Sequence, residues 1–177
     1  EKELTIMKFV KTTIGLAAAA MLLAACGNQQ SKAASTQIPN PTKEVTKDEL
    51  ASQTGIGLDA AKDAENVVFT VIDDADGGKL AQVSFTLNGT EYTYRAESVS
   101  DPNGKDISGV YEQWTSEEPV EIQYCKGTYK TCSEASVITW TDTVPGISYS
   151  LSTSGKVDKD SLVNLASSLF VPAQGNA

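Results

Sequence analysis

Apolar and polar residues alternate most clearly over residues 79–97, KLAQVSFTLNGTEYTYRAE. Asn88-Gly89 splits this stretch into two period-two runs. That is the pattern of a two-residue type I′ hairpin, whose central residues both take positive φ. Facing positions then sum to 177, which puts Ala81, Val83 and Phe85 on one face with Ala96, Tyr94 and Tyr92. Gln82, Ser84 and Thr86 share the other face with Arg95, Thr93 and Glu91. A slip of one residue would mix the two sets, so their segregation supports this register, with one face buried and one wet.

Further apolar or β-branched runs at 66–72, 110–115, 120–125, 136–141 and 147–152 predict five more strands. In the last of these, Ile147, Tyr149 and Leu151 alternate with Ser148, Ser150 and Ser152, again an apolar face and a polar one. Helical spacing occurs twice. Thr46 and Glu49 have capping-box spacing at the start of a short helix that should stop at Gly55. Asp158 is placed to cap a helix over 159–170, where Leu162, Leu165, Ala166, Leu169 and Phe170 fall on one stripe. Short connections favour an antiparallel meander. The expected fold is α+β: an antiparallel sheet of about seven strands, a C-terminal helix packed on one face and a short N-terminal helix, in a single domain over 46–171 followed by a disordered tail at 172–177.

Ahead of that domain the pattern changes. Residues 7–26, MKFVKTTIGLAAAAMLLAAC, place Lys8 and Lys11 before a 12-residue apolar run and a small-residue approach to Cys26. This order of basic, apolar and small-residue regions is that of a secretory signal peptide, and the apolar run is short of the ~20 residues a membrane-spanning helix needs. Leu23-Ala24-Ala25-Cys26 followed by Gly27 resembles the lipobox of bacterial lipoproteins. In that family a diacylglycerol is attached to the cysteine thiol and cleavage leaves the cysteine first in the mature chain. The six residues before Met7 are either a misplaced start or an added remnant and, with the signal peptide, make up segment 1–25. Residues 26–45 are polar, carry Pro39 and Pro41, and read as a flexible tether of roughly 25 Å reach.

Charge narrows the partners. The chain carries a net charge of −9 with no histidine, and loss of residues 1–25 would make it −10. Arg95 is the only arginine, so the clustered cations that phosphate backbones require are absent and nucleic acid is not an expected partner. An acidic surface also gives no help on an anionic membrane, so attachment should come from acyl chains on Cys26.

Once Cys26 is assigned to lipid, Cys125 and Cys132 remain, in YCKGTYKTC. Outside the cytoplasm they read as a disulfide closing a short hairpin loop, worth about 2.5 kcal/mol in the chain-entropy picture, with two free thiols as the alternative. Catalytic and metal chemistry find little support. The turn Asp73-Asp74-Ala75-Asp76-Gly77 does not align with a calcium loop, because Ile72 and Val83 fall where carboxylates are required. Without histidine no Ser-His or Cys-His pair can form. Glu112, Glu117, Glu118 and Glu121 are available to a carboxylate hydrolase, but acids at turns and strand edges are usually solvated. No cofactor is expected. The polar candidates for binding are Arg95 on the wet face of the hairpin and the aromatic residues Trp114 and Trp140; core packing is the first reading of strand aromatics.

Residues 54–170 resemble domain-of-unknown-function family 4367, found in extracytoplasmic lipoproteins and regulatory membrane proteins of Gram-positive bacteria. The resemblance is carried by Thr54-Gly55-Ile56 ahead of Asn66-Val67-Val68-Phe69, by Asp106-Ile107-Ser108-Gly109 leading to Tyr111 and Trp114, and by Gly146-Ile147-Ser148-Tyr149-Ser150-Leu151. It implies a sheet with a packed terminal helix at the outer face of the cell membrane, and assigns no catalytic residue. The reading that follows is a non-catalytic, monomeric, lipid-anchored module on the outer face of the bacterial cytoplasmic membrane, binding a protein, peptide, glycan or lipid. An accessory or regulatory subunit of a membrane complex comes second and a small carboxylate hydrolase third.

Overall fold

A computed structural model describes residues 41–74, 77–101 and 106–172. The signal-peptide segment, Cys26 and most of the tether lie outside the described residues, as does most of the tail at 172–177. The elements are β1 (Thr42–Val45), α1 (Lys47–Thr54), β2 (Glu65–Asp73), β3 (Lys79–Leu87), β4 (Thr90–Ser98), β5 (Ser116–Ile122), β6 (Cys125–Thr131), β7 (Ala135–Asp142), β8 (Ile147–Ser154) and α2 (Lys159–Leu169). The strands form one sheet in the order β1-β2-β3-β4-β8-β7-β6-β5, with every neighbouring pair antiparallel.

The β3–β4 hairpin has the register that its alternation dictates, from Ala81 opposite Ala96 to Thr86 opposite Glu91. Asn88 and Gly89 turn it with φ of 51° and 78°, the left-handed pair a type I′ turn requires. Its apolar face joins the core: Ala81, Val83, Phe85, Tyr94 and Ala96 are buried together with Ile138, Trp140 and Leu151.

Both helices cover that apolar face. α1 packs on β2 and β3 through Leu50, and α2 packs on β5 and β7 through Leu162, Ala166 and Leu169. At α1, Thr46 accepts from the Glu49 amide while the Glu49 carboxylate accepts from the Thr46 amide, the reciprocal cap that satisfies two otherwise orphaned donors. Asp158 caps α2 by accepting from the Ser161 amide. Beneath α2 an aromatic layer fills the space between helix and sheet. Trp140 stacks on Tyr149 with centroids 5.3 Å apart, Tyr94 lies 5.9 Å from Trp140, and Phe170 meets both Trp140 and Tyr149 edge-on. Such offset and edge contacts match the positive rim of one ring to the negative face of the next.

Four expectations are corrected. The sheet has eight strands, because Thr42–Val45, read as tether, pairs with Phe69–Ile72 of β2 and the cysteine segment adds another, while one expected strand is lost. β1 is largely exposed and attached by backbone bonds, so it leaves no apolar trace. Residues 110–115 form no strand; they end the long β4–β5 connection. The cysteine segment is no loop but strand β6. Cys125 opens that strand and Cys132 follows its last residue, so seven residues at about 3.3 Å each hold them roughly 23 Å apart. A disulfide needs Cα atoms within about 7 Å, and both thiols are accordingly free and buried. Finally, the serine face of β8 is not wet: Ser148, Ser150 and Ser152 are buried.

Candidate functional site

The buried serines point to what lies over them. On this second face of the sheet, β4 contributes Thr93, Arg95 and Glu97, and β8 the three serines opposite them. The chain leaving β4 at Ser98 must travel to β5 at the far edge, and residues 107–109 of that connection lie against this polar face at Arg95, with Ile107 and Ser108 buried.

Arg95 holds the crossing in place. Its Nε donates to Gln82 Oε1 at 2.8 Å on the neighbouring strand, and its Nη1 donates to the Ile107 carbonyl at 3.1 Å. Gly109, at φ 73°, rests directly on the guanidinium, where an added methyl group would lie 1.9 Å from Nη1. Only a residue without a side chain allows that approach. Burial pushes the guanidinium below its ordinary value, and Tyr111 and Asp106 oppose the shift. Arg95 is therefore a strut between the sheet and its cover. The sequence singled it out as a binding residue because it is the lone arginine on a polar face; its hydrogen bonds are directed inward.

Beside this strut, over β6, β7 and the end of β8, lies a groove of about 710 Å³. Its floor is set by the two-residue period of the strands. Lys126, Thr128 and Lys130 of β6 point to this face, while Cys125 and Tyr129 point to the core. Thr139 and Thr141 of β7 and Ser148 of β8 continue the floor, and Asp106 and Ile107 wall it. Gly127 lets β6 and β7 approach, since a Cβ there would lie 2.7 Å from the Thr139 carbonyl oxygen. Asp106 is oriented by accepting from the Ser108 amide, and its other oxygen lies 3.8 Å from Lys130 Nζ. Trp114 places its ring centroid 5.7 Å from the same ammonium.

A second polar cluster closes the end of the sheet. Asp142 is fully buried at the end of β7, where it accepts from the Tyr124 hydroxyl at 2.9 Å and from the Val144 amide. Desolvation and then the hydrogen bond and charge of Asp142 push Tyr124 up to about 12. Burial and then Asp142 push Tyr149 up to about 12 and raise the Cys125 thiol. A raised thiol is the opposite of an activated one, so Cys125 is a packing residue. Next to it Gln123 Nε2 donates to the Ser167 and Phe170 carbonyls and so caps the C-terminal end of α2.

The structure thus separates the residues singled out in the sequence. Trp140 is core, 3% exposed and stacked on Tyr149, and is also among the residues that line the groove. Trp114 stands over Lys130 at the groove, Arg95 anchors its wall, Cys125 and Cys132 sit at opposite ends of β6, and Cys26 lies outside the described residues. The groove residues Lys126, Thr128, Lys130, Thr139, Thr141 and Ser148 were missed. The signal was there in the alternation of Lys126, Thr128 and Lys130 with Cys125, Gly127 and Tyr129, which identifies a strand once the segment is not read as a cysteine-closed loop.

Compared with protein-family models, curated proteins and solved structures, the chain finds no match in any of the three. Among the described residues no helix is long and apolar enough to cross a membrane.

Proposed function

We propose that this protein is a non-catalytic lipoprotein, held at the outer face of the bacterial cytoplasmic membrane by acyl chains on Cys26, and that the polar groove over β6, β7 and β8 is its ligand-binding site. The resemblance of residues 54–170 to domain-of-unknown-function family 4367 belongs to the same proposal and rests on the motifs quoted above. The observation that carries the binding reading is the groove itself: a walled concavity floored by two lysines and several hydroxyls on the sheet face opposite the helices. An ordinary solvated sheet face has no such wall, and binding sites are concave with a few polar groups converging on one volume. Binding is favoured over catalysis because Asp106 is the one carboxylate lining the groove among the described residues, whereas the carboxylate-based hydrolysis open to a chain without histidine uses two.

The test is photocrosslinking in intact cells. A benzophenone side chain at Thr128 in the groove should capture a molecule that the same group at Asn164, exposed on the far side of the domain, does not. Equal capture from both positions would remove the groove as the site. Labelling with a palmitate analogue, with Cys26→Ala as the control, tests the anchor: equal labelling of the two proteins would end the lipoprotein reading.

A further inference from the structure

Building on the groove as the binding site, we propose that its ligand is a short acidic glycan, a sugar chain carrying a carboxylate or phosphate. Two features of the floor lead there. Thr128 and Thr139 present hydroxyls, each able to donate one hydrogen bond and accept others, which matches the mixed donor and acceptor character of sugar hydroxyls, while Thr141 and Ser148 hydrogen-bond each other at 3.0 Å. Among the described residues Lys126 makes no ion pair, although Glu121 stands opposite it in the register, and Lys130, opposite Glu117, meets Asp106 at 3.8 Å and the Trp114 ring at 5.7 Å. Two ammonium groups four residues apart on one strand face, about 13 Å along the strand, are therefore available to an anionic chain.

The other occupants fit less well. An acyl chain needs an apolar floor, and among the described residues only Ile107 of the wall and Trp114 over Lys130 offer apolar side chains on this face; Trp140, Tyr149 and Cys125 also line the groove but pack into the core. An extended peptide gains most of its affinity from main-chain bonds at a sheet edge, but this groove lies on the face of β6, β7 and β8, whose backbone groups are already paired. A volume near 710 Å³ lies within the range of small-ligand sites, so a few sugar units would fill it.

The experiment is a backbone NMR titration of the full chain in detergent micelles with trigalacturonate, maltotriose phosphate, maltotriose, inorganic phosphate and pentaglutamate. Trigalacturonate or maltotriose phosphate should shift the amides of Thr128, Thr139 and Ser148, and which of the two does so assigns the acid as carboxylate or phosphate. Neutral maltotriose should bind at least about tenfold more weakly. Lys126→Gln, at an exposed position with no ion pair among the described residues, should weaken the acidic sugar about tenfold more than it weakens maltotriose. Binding of inorganic phosphate or pentaglutamate as tight as that of the acidic sugars would overturn the glycan, as would an unchanged affinity in Lys126→Gln. If no probe shifts the groove while Thr128 still crosslinks selectively in cells, the glycan inference falls and the binding groove stands; if both fail, so does the groove.

Discussion

The contact between Gly109 and Arg95 gives the sharpest test of how the polar face is built. In Gly109→Ala the new methyl carbon would sit 1.9 Å from Arg95 Nη1 and 2.7 Å from Cζ. The end of a free arginine would swing aside, but this one is fixed by Gln82 and the Ile107 carbonyl. Two costs follow. Holding alanine at φ 73° costs about 1–2 kcal/mol, and losing a hydrogen bond made by a charged group costs about 1.5–3 kcal/mol, together roughly 3–5 kcal/mol. With a urea slope of about 1–3 kcal/mol/M, the midpoint should fall by about 1 M or more while the slope stays constant. The control is the same substitution in an Arg95→Ala background, where no guanidinium remains to be displaced. There Gly109→Ala should cost only the backbone part, about 1–2 kcal/mol, leaving an interaction energy of about 1.5–3 kcal/mol between the two sites. If the two substitutions are additive within about 0.5 kcal/mol, Arg95 does not brace the crossing and the origin of the groove wall must be sought elsewhere.

Three further outcomes follow from the structure. Cys125 and Cys132 should both alkylate in denaturant and resist alkylation in the folded protein, and intact mass under non-reducing conditions should be that of two thiols; a mass two units lower would mean the strand between them is wrong. Gln123→Ala removes both side-chain bonds at the end of α2 and should cost about 1–2 kcal/mol, with faster amide exchange in the last turn of the helix; an unchanged urea midpoint would show that the cap is not formed. Stability should also fall at alkaline pH. Tyr149 is pushed up to about 12 while its unfolded counterpart titrates near 10, and burial raises Tyr94 in the same direction. The folded protein therefore keeps protons that the unfolded chain has shed, so stability present below pH 10 is lost as pH rises from 10 toward 12. Tyr149→Phe should flatten part of that fall in urea midpoints measured at pH 9 and 11.5, and an identical slope would contradict it.

What could be read from residues alone was the part governed by local periodicity. Asn88-Gly89 and the flanking alternation determine the β3–β4 register, because turn geometry and burial demand the same pairing. The stripe on α2 and its Asp158 cap are likewise local. The misreadings share a different cause. β1 is held by backbone pairing at a sheet edge and has no apolar face, so Thr42–Val45 resembles its polar neighbours. β6 was hidden by Gly127, which reads as a turn residue but is needed for the close approach of Thr139. Ser148, Ser150 and Ser152 read as solvent-facing because polarity ordinarily means exposure. Here the residues are small and buried on the face where Arg95 ties down the Ile107 segment, a covering remote in the chain from β8. The groove depends on that covering and on β6 being a strand, so neither its walls nor its floor could be assembled from periodicity.

The strand order has a kinetic consequence. β1 to β4 and β5 to β8 are each runs of neighbours joined in sequence, and the two runs meet only where β4 pairs with β8. That seam brings together residues 49 to 61 positions apart, from Ser98 with Ile147 to Tyr92 with Thr153, whereas the hairpins on either side close over short turns. Long loops are entropically costly to close before their contacts form, so the seam should be the rate-limiting pairing. Substitutions in the hairpin turns should then act mainly on how fast each half forms, and those at the seam on whether the halves become one sheet.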